Sequence, residues 1–206
     1  MSFSTALKKL RKKNKKRKFD QTLDLIINLK DFDLRKDSAN TFVILPNINK
    51  RKKICAFLEN SSKAVDYVIT KNELERISQR DVKKMVKEYD FFISNAKLMP
   101  RIASKFGKIL GTAGKMPNPK IGNVLAQVSE DILSSITKKL SNMTKIRTKE
   151  SSIKVAIGKE SMLDDSLIEN AEAVLKAVTK VLPKKELNIK SILLKFTMSP
   201  TIKVEK

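Results

Sequence analysis

The chain has 206 residues, 41% of them hydrophobic, and carries 44 Lys+Arg against 22 Asp+Glu, a formal charge of +22. That apolar content can bury a core, which excludes a disordered basic tail, and the charge repels itself unless polyanions neutralise it. A single cysteine and the lack of histidine exclude an internal disulfide, Ser-His and Cys-His catalysis, and His-ligated metal sites.

The eleven residues Lys8 to Lys18 hold nine basic side chains, which predicts an unstructured cationic arm suited to gripping polyphosphate. Like charges packed this closely cost free energy that a merely solvated face would avoid. No apolar stretch approaches the roughly 18 residues of a membrane span, and none follows Met1 as a signal segment would. Nucleic acid is therefore the expected partner, and no membrane is.

Leu23, Leu25, Ile27 and Leu29 alternate with Asp24, Ile26 and Asn28, and Thr41 to Leu45 is a β-rich run closed by Pro46; both predict strands, joined by the polar loop Asp31 to Asn40. The basic cluster Lys50-Arg51-Lys52-Lys53 reads as a boundary. From Ile54 to about Ile146, short apolar runs alternate with helical periods. Strands are predicted at Ile54–Leu58, Tyr67–Thr70 and Phe91–Ser94, with helices near Arg80–Tyr89 and Met99–Phe106, where Pro100 is tolerated in the first turn. Cys55 is expected as a small buried hydrophobe. Gly107 to Gly122 is expected to be the least regular segment. Beyond it, Ile153–Ile157 predicts a strand and Ser161 opens a helix with Asp164 and Asp165 in its first turn. Its apolar face, Leu167 to Leu182, ends before Pro183, and a last strand, Ile189–Phe196, leads into Thr197-Met198-Ser199-Pro200.

Neither terminal piece is convincing as a domain alone, since one offers two strands and the other a single amphipathic helix between strands. Together they form a plausible lobe. The expected fold combines α/β and α+β parts in two lobes: a split α+β domain from residues 1–52 and 147–206, and an inserted three-layer α/β domain from 53–146. The two crossings, near Lys53 and Arg147, predict a hinge.

The glycine-rich loop invites a nucleotide-site reading but fails both phosphate motifs. A Walker loop needs glycine five residues before Gly114-Lys115 and Ser/Thr after it, where this chain has Ile109 and Met116. A dinucleotide fingerprint needs glycines after the first strand of the unit, where Glu59-Asn60-Ser61-Ser62 stands. No cofactor and no metal are expected, and the pairs Asp31/Asp33 and Asp164/Asp165 are explained by loop solubility and helix capping. Phe19, directly after Arg17-Lys18, is suited to stacking under a ribose or to plain core burial. Thr197-Met198-Ser199-Pro200 could follow a shallow RNA groove or simply end a strand.

Several segments taken together resemble the ribosomal protein L-one family of the large-subunit stalk. They are Lys18-Phe19-Asp20-Gln21-Thr22, the run Gly111 to Pro119, Ile157-Gly158-Lys159 with the helix that follows, and Ser191 through Thr197-Met198-Ser199-Pro200. Asp90-Phe91-Phe92-Ile93 and Asn188-Ile189-Lys190-Ser191 look closest to archaeal members, with a compact eukaryotic form left open. The resemblance implies a non-enzymatic, cytoplasmic protein, monomeric on the large subunit, whose inserted α/β domain is Rossmann-like without a nucleotide. It also implies binding to the stalk helices of rRNA, help in releasing deacylated tRNA from the exit site, and repression of its own mRNA; a non-ribosomal assembly factor is the alternative. Carried over by position, the RNA contacts would be Phe19, Thr22, Ser191, Thr197 and Met198; the turn residue Ser199 and the cations Lys12, Lys13, Lys15, Lys16, Arg17 and Lys18 join them on the reading of the residues alone. Ser199 stands where the family usually has glycine, so a side-chain penalty is expected if the backbone there needs positive φ. Leu45-Pro46-Asn47-Ile48 replaces the usual Leu-Pro-His-Gly turn.

Overall fold

Phe3, Ala6, Leu7 and Leu10 repeat at i, i+3, i+4 and i+7, and all four are buried. This apolar stripe makes the start of the chain a helix, α1 (Phe3–Lys13), and corrects the expected unstructured arm: half of the basic run is helical, with its cations on the outer face. The computed structural model describes residues 3–15, 17–33, 40–47, 52–62, 64–148 and 150–204. Strands β1 (Thr22–Leu29) and β2 (Thr41–Ile44) follow, then β3 (Ile54–Phe57), β4 (Tyr67–Ile69), α2 (Lys71–Arg76), α3 (Gln79–Glu88) and β5 (Phe91–Asn95). The rest of the chain forms α4 (Met99–Ala113), β6 (Val124–Leu125), α5 (Glu130–Ser141), β7 (Met143–Ile146), β8 (Ser152–Lys159), α6 (Asp164–Val181), β9 (Ile189–Phe196) and β10 (Ile202–Lys203).

The chain divides into two compact units, Met1–Lys50 with Asn142–Lys206, and Arg51–Ser141. In the split unit, β1 alternates half-buried and buried along its whole length and is the centre of an antiparallel sheet ordered β10-β9-β1-β8. One face of that sheet carries Leu23, Leu25, Ile27, Ile153, Val155, Ile157, Ile192, Leu194 and Phe196, packed with α1 and α6 into one core. Each fully buried Leu, Ile or Phe contributes about 1.5–3 kcal/mol, so α6 is held by Leu167, Val174 and Val178 far more than by its own propensity. β2 does not join β1; it pairs antiparallel with β7. That pairing draws Met143–Ile146 into the split unit and sets the second boundary ahead of Arg147. Past β2, the Asn47 N–H donates to Asn170 Oδ1 (3.0 Å) and the Asn170 amide donates back to the Asn47 carbonyl (3.1 Å). The turn without His or Gly is thus clasped to α6.

The inserted unit is a parallel sheet ordered β4-β3-β5-β6. Every position of β3 and β5 is buried, as expected where both faces of a parallel sheet are covered. Cys55, Phe57 and Phe92 pack with Leu74, Val82, Ile102, Phe106 and Leu110 from the helices. The segment expected as irregular starts as regular helix: α4 runs through Gly107 and Gly111, because burying Ile102, Phe106 and Leu110 outweighs about 1 kcal/mol per glycine. It ends at Gly114, whose φ of 64° is the left-handed conformation that glycine supplies. α5 was not legible as a helix in the sequence, although Leu133 and Leu140 at i, i+7 are its buried residues.

Cys55 is inaccessible, and burial pushes its thiol up to about 12. A maleimide at pH 8 is therefore expected to leave native protein unmodified and to label it fully in denaturant; rapid native labelling would mean that the β3 layer opens.

Candidate nucleic-acid interface

The segment between α1 and β1 is built on hydrogen bonds rather than on apolar packing. Arg11 donates from Nε to Asp164 Oδ1 (2.7 Å), from Nη1 to the Glu160 carbonyl (3.0 Å) and from Nη2 to the Met162 carbonyl (3.0 Å). This fork ties the end of α1 to the loop before α6 and removes one cation of the basic run from service to a ligand. Asn14 donates to Glu160 Oε1 at 2.7 Å. Gln21, fully buried, donates to Asn14 Oδ1 and Glu160 Oε2, both at 3.1 Å, while its Oε1 accepts the Met198 N–H at 3.1 Å. A buried amide satisfied on both ends sets positions firmly, since leaving either end unpaired costs about 1–3 kcal/mol.

Around Gln21 the chain ends of β1 and β9 are laced together. The Thr22 N–H donates to Thr197 Oγ1, and the Thr197 N–H to the Thr22 carbonyl, each at 3.1 Å. The turn after β9 lifts Met198 into solvent, 59% exposed, and Phe19 stands out at 52%. Of the two readings of Phe19, core burial is thereby removed. Ser199 is buried and has no positive φ. Its hydroxyl accepts the Phe196 N–H (2.9 Å) and donates to the Pro200 carbonyl (3.0 Å). The expected backbone penalty does not arise, and Ser199 closes the turn that presents Met198.

Ser191 lies on the same outer face of the sheet as Thr197, but six residues earlier along β9, about 20 Å away at 3.3 Å per residue. It accepts a hydrogen bond from Asn28 Nδ2 (2.9 Å) on the neighbouring β1. The candidate residues therefore form an elongated strip rather than a single patch, with the half-buried Ile26 and Leu193 paired between its ends. At the Phe19 end, Lys12, Lys13, Lys15, Arg17 and Lys18 are all exposed; Lys16 lies outside the described residues. Asp20 accepts from the Ser161 hydroxyl (2.8 Å) and backbone N–H (3.1 Å), with Lys159 at 3.6 Å. These contacts hold its carboxyl below the ordinary value, so they persist at neutral pH and weaken as pH falls through the lowered value. On the outer face, desolvation raises Asp24, opposed by Lys195.

The motif run Gly111–Pro119 plays a structural part in the inserted unit. Lys115 donates from Nζ to the carbonyls of Val86 and Tyr89, both at 2.7 Å, and so caps the end of α3 instead of facing a phosphate. Among the described residues no His/Cys/Asp/Glu group could hold a metal ion, and no helix is long and apolar enough to cross a membrane. Arg11, Asn14, Gln21 and Glu160 are the organising residues that sequence reading missed. Gln21 sits inside the quoted motif, but its importance depends on partners from 7 to 177 residues away.

Residues 10–200 match the family described as Ribosomal protein L1p/L10e. Large ribosomal subunit protein uL1 of Nanoarchaeum equitans is 37% identical, over 94% of this chain and 95% of the relative. The protein of the same description from Thermococcus kodakarensis is 39% identical over 98% and 95%, and that from Methanothermobacter thermautotrophicus 35% over 97% and 96%.

Proposed function

The chain belongs to the ribosomal protein L1p/L10e family, and from that premise we propose that it is a non-catalytic component of the large ribosomal subunit in the cytoplasm. Its split α+β unit binds the stalk helices of rRNA. The same surface serves to repress its own mRNA, and on the ribosome the protein, as a monomer, assists release of deacylated tRNA from the exit site. The observation that carries the reading is the arrangement at the end of β1 and β9: Phe19 and Met198 exposed, Thr22 and Thr197 laced together, and five exposed, described cations in the segment that leads to Phe19. Cations supply salt-dependent, sequence-tolerant attraction to phosphate, while shaped contacts select one RNA form.

Binding to the stalk hairpin is compared with binding to a scrambled hairpin of equal charge, at low and near-physiological salt. A preference that survives the higher salt supports the proposal; equal, salt-erased binding to both overturns it and favours a generic basic surface. Thr197→Ala and Met198→Ala are each expected to weaken the stalk complex about tenfold, roughly 1.4 kcal/mol, and the scrambled complex much less. Equal losses on both RNAs would remove these side chains from recognition.

A further inference from the structure

In the inserted unit β3 connects to β4 on one side while β5 connects to β6 on the other. The connections diverge between β3 and β5, and crevices at the carboxyl ends of such strands are where open α/β sheets bind ligands. A cleft of about 580 Å³ lies there, within the size range of small-molecule sites. Its floor holds Asn95, only 5% exposed, whose Oδ1 accepts the Lys97 N–H at 3.1 Å. Asn95 lines the cleft, and its Nδ2 has no hydrogen-bond partner among the described residues.

The rim adds two apolar side chains, Val128 at 38% and Ile132 at 40% exposure. Among the described residues, Glu59 and Glu130 also line the cleft, against one cation, Lys97, whose Nζ lies 4.0 Å from Glu59. In a chain of net charge +22 the described lining is locally acidic, poorly suited to a polyphosphate. We propose that the cleft binds one uncharged ribonucleoside unit. Glu59 accepts hydrogen bonds from the ribose hydroxyls, Asn95 Nδ2 donates to an acceptor on the base, and the ring lies against Val128 and Ile132. The unit is either a free nucleoside or an unstacked residue of an RNA whose phosphates stay outside the mouth. The proposal is independent of the RNA-binding strip on the split unit.

The test is an amide-shift titration of the full ¹⁵N-labelled chain with adenosine, guanosine, cytidine and uridine. Saturable shifts confined to residues 59–62, 95–97 and 127–133 are expected for at least one nucleoside, with a Kd of about 1 mM or tighter. Its 5′-triphosphate is expected to bind several-fold more weakly. Asn95→Leu removes the donor and Ile132→Arg blocks the rim at an exposed position that leaves the core intact; each is expected to weaken binding about tenfold or more. Absence of these shifts with all four nucleosides, tighter binding of the triphosphate, or indifference to Ile132→Arg overturns the proposal. A trinucleotide compared with its abasic-centred analogue separates the sources: base-dependent tightening over the nucleoside identifies an RNA residue, and no tightening a free nucleoside.

Discussion

Replacing Gln21 by leucine is expected to lower the unfolding free energy of the split unit by about 2–4 kcal/mol and, where the variant remains folded, to weaken stalk-RNA binding at least tenfold. Leucine nearly matches glutamine in volume, so the loss would not come from a cavity. It would come from polar groups left behind: the Met198 N–H, the Asn14 side-chain oxygen and one Glu160 carboxylate oxygen are all left without their Gln21 partner. Each unpaired, desolvated group costs about 1–3 kcal/mol, less where water can reach it. The effect on RNA follows from the same bonds, because Gln21 holds the backbone of Met198 and braces the segment that leads to Phe19. Gln21→Glu should be as damaging, since it sets a second carboxylate against Glu160. Denaturant midpoints and RNA affinities of the two variants check both parts. Wild-type stability together with wild-type affinity would show that the amide network neither orders the turn nor matters to binding.

Alanine at Lys12, Lys13, Lys15 and Arg17 together is expected to weaken every RNA complex about a hundredfold at low salt. The dependence of log K on log salt should flatten by up to about 0.9 for each phosphate that is no longer neutralised on duplex-like targets. All four side chains are exposed, so the fold should tolerate the change. Arg11→Ala is the contrasting control. Arg11 is committed to Asp164 and to two backbone carbonyls, so its removal should cost about 1–3 kcal/mol of stability and leave the salt slope unaltered. Salt titrations of the two variants against the stalk hairpin separate cations that bind RNA from the one that binds the protein. An unchanged slope in the fourfold variant would count against phosphate binding along this segment; a flattened slope in Arg11→Ala would mean that the Asp164 pairing yields to RNA.

The distinction between those two sets of cations shows where sequence reading stops. Nine basic residues in eleven announce a polyanion partner, but nothing in the run itself marks Arg11 as internal. The helix was available in principle, because Phe3, Ala6, Leu7 and Leu10 keep the helical period just ahead of the charges; reading the run by charge alone hid it. Gly107 and Gly111 misled in the opposite direction. They argue locally for a loop, yet three buried side chains at four-residue spacing hold them in α4. Lys115 beside Gly114 has the look of a phosphate loop, and only the position of α3 turns it into a helix cap.

The sequence by itself determined the partner class, through charge. It also determined the strand and helix patterns of β1, β9 and α6, through apolar periods of two and near four, the inner strands of the inserted sheet, through short continuous apolar runs, and the family resemblance, through motifs in order. These are local properties, encoded in neighbouring residues. Only the tertiary structure decided which strands pair, that β2 joins β7 and so moves the second boundary, and that Phe19 is exposed while Ser199 is buried beneath its turn. Each of these depends on hydrogen bonds and burial between residues that are distant in sequence: Thr22 with Thr197, Gln21 with Met198, Asn47 with Asn170. The energy of such pairings exists only once the chain has closed on itself, which is why no local pattern announces them.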